Sequence, residues 1–400
     1  MSNYIIYIGA NRSGSTLDGI EAGKKLGYST ILLTNIRKYL RERELFPEVD
    51  EMFEVDIERE EEIRKQIHSL RQKGKKIACI ISFLDDYVYL AAKLSNEYCG
   101  TDLSLQPIAD CLDKTELRSK LKGKAYSPIF FPLSPPFSYE HMSDIPYPVV
   151  LKSPVSNGSK DVLLIQDEEE LQRGIARLSR RNPPSLLVEE YLDGPQYLIE
   201  TVIKDGTPIV EVVVKQEIDF QKRFIVTGYS VSTTHHHPGL LKEVRGIISD
   251  LGFENGSCHL EMRLVQNKWR LVEINPRVSG GSMNKMIAAA YGLSIVEETL
   301  RVYLKKNHEP RFKWEKHVYT SYMTVNKMGS LLRVTGVDEA EVQEGIIDVH
   351  VKPNIGKILR PPTSMAHRYG YVMAVGKSVQ ESEIRAKNAA NLIKFYIEST

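Results

Sequence analysis

Four polar side chains in the second half of the chain are spaced to hold a divalent ion beside an anion. They are Glu261, Glu273, Asn275 and Arg277, within the stretch Cys258–Met283 (CHLEMRLVQNKWRLVEINPRVSGGSM). Two alternating runs, His259–Val265 and Trp269–Asn275, flank the polar triplet Gln266-Asn267-Lys268. Alternation on both sides of a short polar turn predicts a β-hairpin. With Asn267 at the tip, Glu261 and Glu273 face each other, each six residues away from it. Like charges directly opposite on neighbouring strands destabilise a sheet, so this placement implies a cation between them. The strand period of two puts Asn275 on the face of Glu273. Two carboxylates and an amide oxygen form a hard, oxygen-only set, suited to Mg²⁺ (or Mn²⁺) carrying bound phosphates. Pro276 ends the strand, and Arg277 follows with a fork that can grip an anionic group through two parallel donors. The plain alternative is a surface hairpin with solvated acids, which a register slip of one residue would give.

The elements that must position these residues can be read along the chain. At 400 residues with a formal net charge of +1, the chain predicts two or three domains and gives no argument for nucleic acid or an anionic membrane. The four cysteines, Cys79, Cys99, Cys111 and Cys258, show no CxxC spacing and read as reduced, mostly buried thiols of a cytoplasmic protein. No stretch has the length of a membrane span, and the N-terminus enters a strand without a signal-like segment. Strands at Tyr4–Ile8, Ser29–Thr34, Met52–Val55 and Lys76–Phe83 alternate with helical patterns, predicting a parallel α/β domain over residues 1–105. Its loop Gly9–Gly14 lacks both the P-loop lysine and the GxGxxG spacing, and reads as a tight turn or a substrate-side loop. Leu105-Gln-Pro107 breaks that pattern, and a helix follows over Ile108–Lys122. Lys114 and Arg118 share a face of it, either as a solvated basic stripe or as phosphate contacts.

The strand Val149–Lys152 ends on a lysine and runs into a small polar loop, Ser153–Lys160, before the strand Asp161–Ile165. A loop bearing Ser156 and Gly158 can lay backbone N–H groups over phosphates; a plain hairpin is the alternative. An acid-rich helix start at Asp167–Glu170 and a strand at Ser185–Glu190 follow. Tyr197–Val202 and Pro208–Lys215 pair around Asp205-Gly206. The tract His235–His237 reads as a substrate contact, His236 being the candidate, rather than a metal site, because neighbours on an extended chain face opposite ways. Gly239–Leu251 and Ser282–Leu300 predict helices, the second rich in Ala and Met. After about Arg311 come strands at Val318–Val325, Ile346–Val351 and Tyr369–Val375 and a helix over Val379–Ile397.

Taken in order, these pieces resemble the ATP-grasp superfamily of carboxylate–amine ligases. The matching residues are Asp113-Lys114, Leu151-Lys152 with Ser156-Asn-Gly158, Glu189-Glu190-Tyr191-Leu192, Gly194 with Gln196, and Glu261 with Glu273-Ile-Asn-Pro-Arg277. The run Arg368–Gly376, followed by a helix bearing Ala386, Ala389 and Ala390, resembles the closing domain of the L-amino acid ligase branch, which includes dipeptide synthases and carnosine synthase. The resemblance implies an α/β fold of the α+β ATP-grasp type: a pre-ATP-grasp domain (1–105), a two-lobed ATP-grasp core (106–310, with a lid at about 125–190) and a small C-terminal α/β subdomain (311–400). It further implies ATP and Mg²⁺ as cofactors. Lys114 and Lys152 would contact phosphates; Glu189, Glu190, Tyr191 and Leu192 would hold adenine. Glu261, Glu273 and Asn275 would carry the metal. Arg277 would orient the substrate carboxylate and stabilise the transition state. Gln196 departs from the family, which usually has a ribose-binding Glu there.

The chemistry that follows is activation of an amino acid carboxylate as an acyl phosphate and its capture by an amine, often a second amino acid. The metal bridges phosphates, cations neutralise the transferring charge, and a lid excludes water. Gly280 and Gly281, just past Arg277, leave space for a substrate side chain. The rival readings are bicarbonate-dependent carboxylation, loading of an amino acid onto a carrier protein, and a non-catalytic ATP-binding regulator. The chain has no Met-Lys-Met of a biotin carrier; Met283-Asn-Lys-Met286 is not one. A homodimer suits an enzyme of this size.

Overall fold

The computed structural model describes residues 3–137, 146–154, 161–180, 183–219, 225–232 and 239–399. The N-terminal region contains β1 (Asn3–Ile8), α1 (Ser15–Lys25), β2 (Ser29–Thr34), α2 (Arg37–Arg41), β3 (Glu51–Glu54), α3 (Glu60–Gln72), β4 (Lys76–Ile81), α4 (Asp85–Cys99), α5 (Leu105–Leu112) and α6 (Lys114–Lys120). Its sheet is parallel, in the order β3-β2-β1-β4. The apolar runs Ile5–Ile8 and Ile31–Leu33 are fully buried, as strands covered on both faces must be. The helix expected over Ile108–Lys122 is in fact two. Asp113 is extended, and its carboxylate accepts from the Thr115 and Glu116 N–H groups as the N-cap of α6. Pro107 does not break a helix; it lies in the first turn of α5, where a missing N–H costs little.

The next unit contains β5 (Phe130–Leu133), β6 (Val149–Lys152), β7 (Val162–Ile165), α7 (Glu168–Ser179) and β8 (Leu186–Glu190). Its strands pair antiparallel in the order β5-β8-β6-β7, with α7 packed through Leu171, Ile175 and Leu178 onto Leu151, Ile165 and Val188. This sheet spans the stretch expected to form a lid.

The rest is built on one long sheet. It contains β9 (Gln196–Lys204), β10 (Thr207–Asp219), β11 (Ile225–Val231), α8 (Leu240–Leu251), β12 (Gly256–Val265), β13 (Lys268–Asn275), α9 (Met283–Tyr291) and α10 (Ile295–Tyr303). Then follow β14 (His317–Met323), β15 (Gly329–Thr335), α11 (Val337–Glu341), β16 (Ile346–Val351), β17 (Ile358–Leu359), β18 (Gly370–Gly376), α12 (Val379–Leu392) and β19 (Lys394–Ser399). Eight strands join in the order β13-β12-β9-β10-β11-β14-β18-β16. Three strands from beyond residue 310 therefore extend the central sheet, while β17-β15-β19 form a small sheet of their own.

Two further helix expectations fail for stated reasons. The pattern over Ser282–Leu300 is divided at Gly292, which closes α9 at φ 66°; Ser294 then caps α10 by accepting from the Glu297 N–H. The terminal helix stops at Leu392, and Lys394–Ser399 pairs with β15 instead. All four cysteines are free thiols. Among the described residues no helix is long and apolar enough to cross a membrane.

Candidate active site

The hairpin of β12 and β13 carries Glu261 directly opposite Glu273. The route to that register differs from the sequence expectation. The ladder closes on Val265 and Lys268, so the turn is the two-residue Gln266-Asn267, both at positive φ (47° and 61°). That is the geometry of a tight hairpin turn whose twist matches the strands. A regular ladder from this turn would set Glu261 against Val272. A bulge intervenes: Met262 pairs with Leu271 and Glu261 with Glu273, leaving Val272 as the extra residue. Its freed carbonyl accepts from Arg118 Nη2 at 2.6 Å, and the Leu271 N–H donates to the Tyr126 carbonyl at 2.7 Å.

Strand register assembles one polar face on three strands. Glu261 pairs with Glu273, His259 with Asn275 and Glu200, and Arg263 with Gln196. Opposite partners share a face. The face therefore carries the two glutamates and Asn275 together. Gln196 Nε2 donates to Glu261 Oε2 at 2.6 Å, while its Oε1 accepts from Arg263 Nε at 2.9 Å. Both ends of the Gln196 amide are thus committed within the sheet. A glutamate there would press a third carboxylate against Glu261; the amide donates to it instead. His259 Nδ1 lies 2.6 Å from Glu200 Oε1, and its Nε2 lies 3.5 Å from Glu261 Oε1. Burial opposes a charge on His259, yet Glu200 and Glu261 overcome it and push its pKa up to about 10.

Cations converge on the same face. Lys114, at the start of α6, reaches Glu273 Oε1 at 3.0 Å. Arg118, four residues on and 1 % exposed, donates through Nε to Glu189 Oε1 at 2.6 Å, and Lys152 Nζ donates to Glu189 Oε2 at 2.6 Å. Burial disfavours the Glu189 charge, but Arg118 and Lys152 outweigh it and hold its carboxyl at about 2. Burial and the nearby Arg118 pull the Lys152 ammonium below its ordinary value, with Glu189 and Glu273 acting the other way. Arg118 thus ties β8 to the bulge of β13.

Arg277 lies after β13. The edge of its fork expected to grip a substrate is on Asp85, at the start of α4: Nε to Oδ1 is 2.5 Å and Nη2 to Oδ2 is 2.6 Å, while Nη1 donates to the Val278 carbonyl. The loop that follows meets the N-terminal domain. Ser15 Oγ donates to the Ser279 carbonyl at 2.5 Å, and Asn284 Nδ2 donates to Ser15 Oγ and Asp18 Oδ2. Gly14 sits at φ 92°, ψ −156°, and a Cβ there would meet the Gly281 nitrogen at 3.2 Å. The Gly9–Gly14 turn is therefore a docking loop for the Gly280-Gly281 segment. Gly14→Ala is expected to destabilise the protein by about 1–3 kcal/mol, the usual cost of so strained a backbone conformation, and to lower its thermal midpoint. An unchanged midpoint would show that this approach carries no strain.

The remaining candidates separate. Ser156, Gly158 and His236 lie outside the described residues. The Glu189 carboxylate is enclosed by Arg118 and Lys152, which leaves its backbone groups for the expected base contact. Glu190 Oε1 accepts from the Ile129 N–H at 3.0 Å, the Leu192 carbonyl accepts from Arg263 Nη1 at 2.5 Å, and the Arg263 guanidinium lies over the Tyr191 ring. Asp85, Arg263 and the His259–Glu200 pair were not anticipated. Asp85 carries no local signal because its partner is 192 residues away. His259 was legible, since it stands two residues before Glu261 on an alternating strand. Among the described residues no group of three or more His, Cys, Asp or Glu side chains converges in metal-binding geometry. The donor set is two carboxylates and Asn275, which fits a hard cation that takes its other ligands from phosphate and water.

Comparison with known proteins meets this geometry. Residues 145–285 match the family model for the ATP-grasp domain, and residues 321–398 match that for the L-amino acid ligase C-terminal domain 2. The chain therefore carries an ATP-grasp domain and an L-amino acid ligase C-terminal domain. The crystal structure of an L-amino acid ligase from Bacillus licheniformis superposes with a TM-score of 0.84 at 18% identity, covering 100% of this chain and 99% of that one. That likeness shows the fold. An L-arginine-specific L-amino acid ligase of Bacillus subtilis is 18% identical over 264 residues, 62% of each chain. The N-terminal section of the carbamoyl phosphate synthase large chain of Methanopyrus kandleri is 27% identical over 220 residues, 52% of this chain and 38% of that one. The chain spans about half the length of the curated relatives it matches. The hairpin glutamates lie inside the matched ATP-grasp span, and Arg368 lies inside the matched C-terminal domain.

Proposed function

We propose that this ATP-grasp ligase activates the carboxylate of an amino acid with ATP and joins it to an amine, typically a second amino acid, releasing ADP and phosphate. The observation that carries the reading is the facing pair Glu261 and Glu273, with Lys114 on one of them, in a chain that ends in an L-amino acid ligase C-terminal domain. A carboxylate is a poor electrophile; transfer of the γ-phosphoryl group onto it creates a leaving group, and the amine then displaces phosphate. Glu261, Glu273 and Asn275 are the residues that would hold Mg²⁺, which would supply positive charge to neutralise the phosphates. Lys114 and Lys152 approach the same phosphates. Arg277, oriented by Asp85, faces the acid to be activated with its remaining Nη hydrogens. Residues 125–190 act as the lid, and Glu190 to Leu192 border the base. The proposed division is a first domain over 1–105, a core over 106–310 and a closing unit over 311–400 that shares the core's sheet.

The test is incubation of the full chain with ATP, Mg²⁺ and pooled L-amino acids, reading phosphate release and condensed product by mass. No phosphate and no product across all pools would sink the reading. Phosphate release that needs bicarbonate and no amino acid would replace it with carboxylation, the chemistry to which a structural neighbour crystallised with MgADP and bicarbonate points. Arg277→Ala is expected to abolish product formation while ATP still binds; normal turnover in that variant would remove Arg277 from the mechanism.

A further inference from the structure

Glu200, on β9, is fully buried, and burying a carboxylate is costly unless its oxygens are paired. Both of them are. Register places Glu200 beside His259 on β12, and His259 beside Asn275 on β13, so the three stand in one row across the sheet. His259 Nδ1 lies 2.6 Å from Glu200 Oε1; a carboxylate oxygen accepts, so Nδ1 carries the hydrogen. The other edge of the imidazole, Nε2, lies 3.5 Å from Glu261 Oε1. On its far side, Glu200 Oε2 accepts from the Ser279 N–H at 3.0 Å.

The peptide that carries this N–H leads to Arg277. Its carbonyl belongs to Val278 and accepts from Arg277 Nη1 at 3.0 Å. A peptide unit is planar, and in the trans form its N–H and C=O point in opposite directions. One rigid plane therefore has Glu200 on one side and the Arg277 guanidinium on the other. Asp85 holds the remaining edge of the fork through Nε and Nη2. The Ser279 carbonyl accepts from Ser15 Oγ, which anchors the next peptide to α1. A continuous line thus runs from Glu261 through His259, Glu200 and the 278–279 peptide to Arg277. It joins a proposed metal carboxylate to the proposed grip on the acid. His259 is 7 % exposed and Ser279 8 %, so bulk water does not replace its links. The line also requires a carboxylate at its centre. Two N–H donors converge on Glu200, one on each oxygen; an amide offers one acceptor and would turn its own NH₂ towards the second donor.

We propose that Glu200 is a positioning residue that holds Glu261 and the Arg277 fork in fixed relation, so that the acid to be activated and the γ-phosphoryl group meet in line. This rests on the ligase reading above. Phosphoryl transfer leaves little covalent work for the protein and depends on placement, where an error of about 1 Å can cost about 100-fold in rate. Glu200 acts through His259 and the 278–279 peptide and forms no bond to the reacting atoms.

The experiment measures ADP release by the full chain with ATP, Mg²⁺ and the amino acid pool that supports product formation in the parent. Binding of a non-hydrolysable ATP analogue is measured beside it. In Glu200→Gln, kcat is expected to fall about 100-fold, while the KM for ATP and the affinity for the analogue stay unchanged. Raising Mg²⁺ should not restore the rate, because Glu261, Glu273 and Asn275 are all intact. Glu200→Asp keeps both acceptors on a shorter stem and should recover part of the loss. His259→Gln breaks the same line, so the double variant with Glu200→Gln should be no slower than the slower single variant. A kcat per analogue-binding molecule equal to the parent's in Glu200→Gln would overturn the proposal, because the residue would then only support the fold. So would full recovery with Mg²⁺, or losses that multiply in the double variant. Should Glu200→Gln not fold, Glu200→Asp and His259→Gln carry the same readouts. Failure of all three to fold would make Glu200 a folding residue and overturn the positioning role. No ADP release and no product from the parent is instead the failure of the ligase reading, and the positioning role falls with it.

Discussion

Replacing Glu273 with Gln is expected to lower ATP-dependent product formation about a thousandfold or more, a loss on the order of 4 kcal/mol in transition-state stabilisation. The substitution keeps the shape of the side chain and its place in the strand, so the fold is retained. It removes one of two facing charges and the partner of Lys114 Nζ at 3.0 Å. The remaining glutamate and Asn275 would hold a divalent ion weakly, and activity should recover in part as Mg²⁺ is raised. The matched substitution Glu211→Gln removes a carboxylate that pairs with Arg245, away from this cluster, and should leave turnover unchanged. The measurement is ADP release with Mg²⁺ titrated for each protein. Turnover within tenfold of the parent at low Mg²⁺ would show that the hairpin pair does not hold the metal.

The second large effect is on stability. Glu189→Gln leaves Arg118 and Lys152 buried without a counter-charge, because both donate to that one carboxylate. Breaking a buried ion pair from one side costs roughly 3–5 kcal/mol, a large share of the 5–15 kcal/mol that keeps a typical domain folded. Denaturant unfolding should show the loss, carried by the β5-β8-β6-β7 sheet through β8 and by the Arg118 clasp on Val272. The pH dependence identifies the cause. Glu189 ionises at about 2 in the folded protein, below the 4.5 of an unperturbed Glu. Its stabilisation is therefore fully present above about pH 4.5 and is lost as pH falls towards 2. The parent should weaken across that window, and Glu189→Gln should weaken less there, having already lost that contribution. Equal acid profiles for the two proteins would place the stabilising charge elsewhere.

Much of the molecule was legible because the relevant signals are local. The alternation around Gln266-Asn267, the Asp205-Gly206 turn and the apolar runs of β1, β2 and β4 each fix an element within a few residues of the signal. The order of elements fixed the resemblance, since Lys114, Lys152, Glu261, Glu273 and Arg277 follow one another as that fold requires. The register of the two glutamates was anticipated from a turn centred on Asn267. The real turn is one residue shorter, and the bulge at Val272 makes up the difference.

The sequence by itself determined which residues are chemically capable and which strands and helices carry them, because propensity, alternation and turn chemistry act over short separations. Only the tertiary structure decided their partners. Asp85 on Arg277, Arg118 between Glu189 and Val272, the closure of Gly14 on Gly281, and the hold of Glu200 on the Ser279 N–H all join distant or separately folded segments. Such pairings depend on how sheets and domains pack, and charge in a low-dielectric interior is settled by those neighbours rather than by residue type. The continuity of one sheet face from Glu273 to Glu200 is likewise a property of strand order, which no single stretch of the chain encodes.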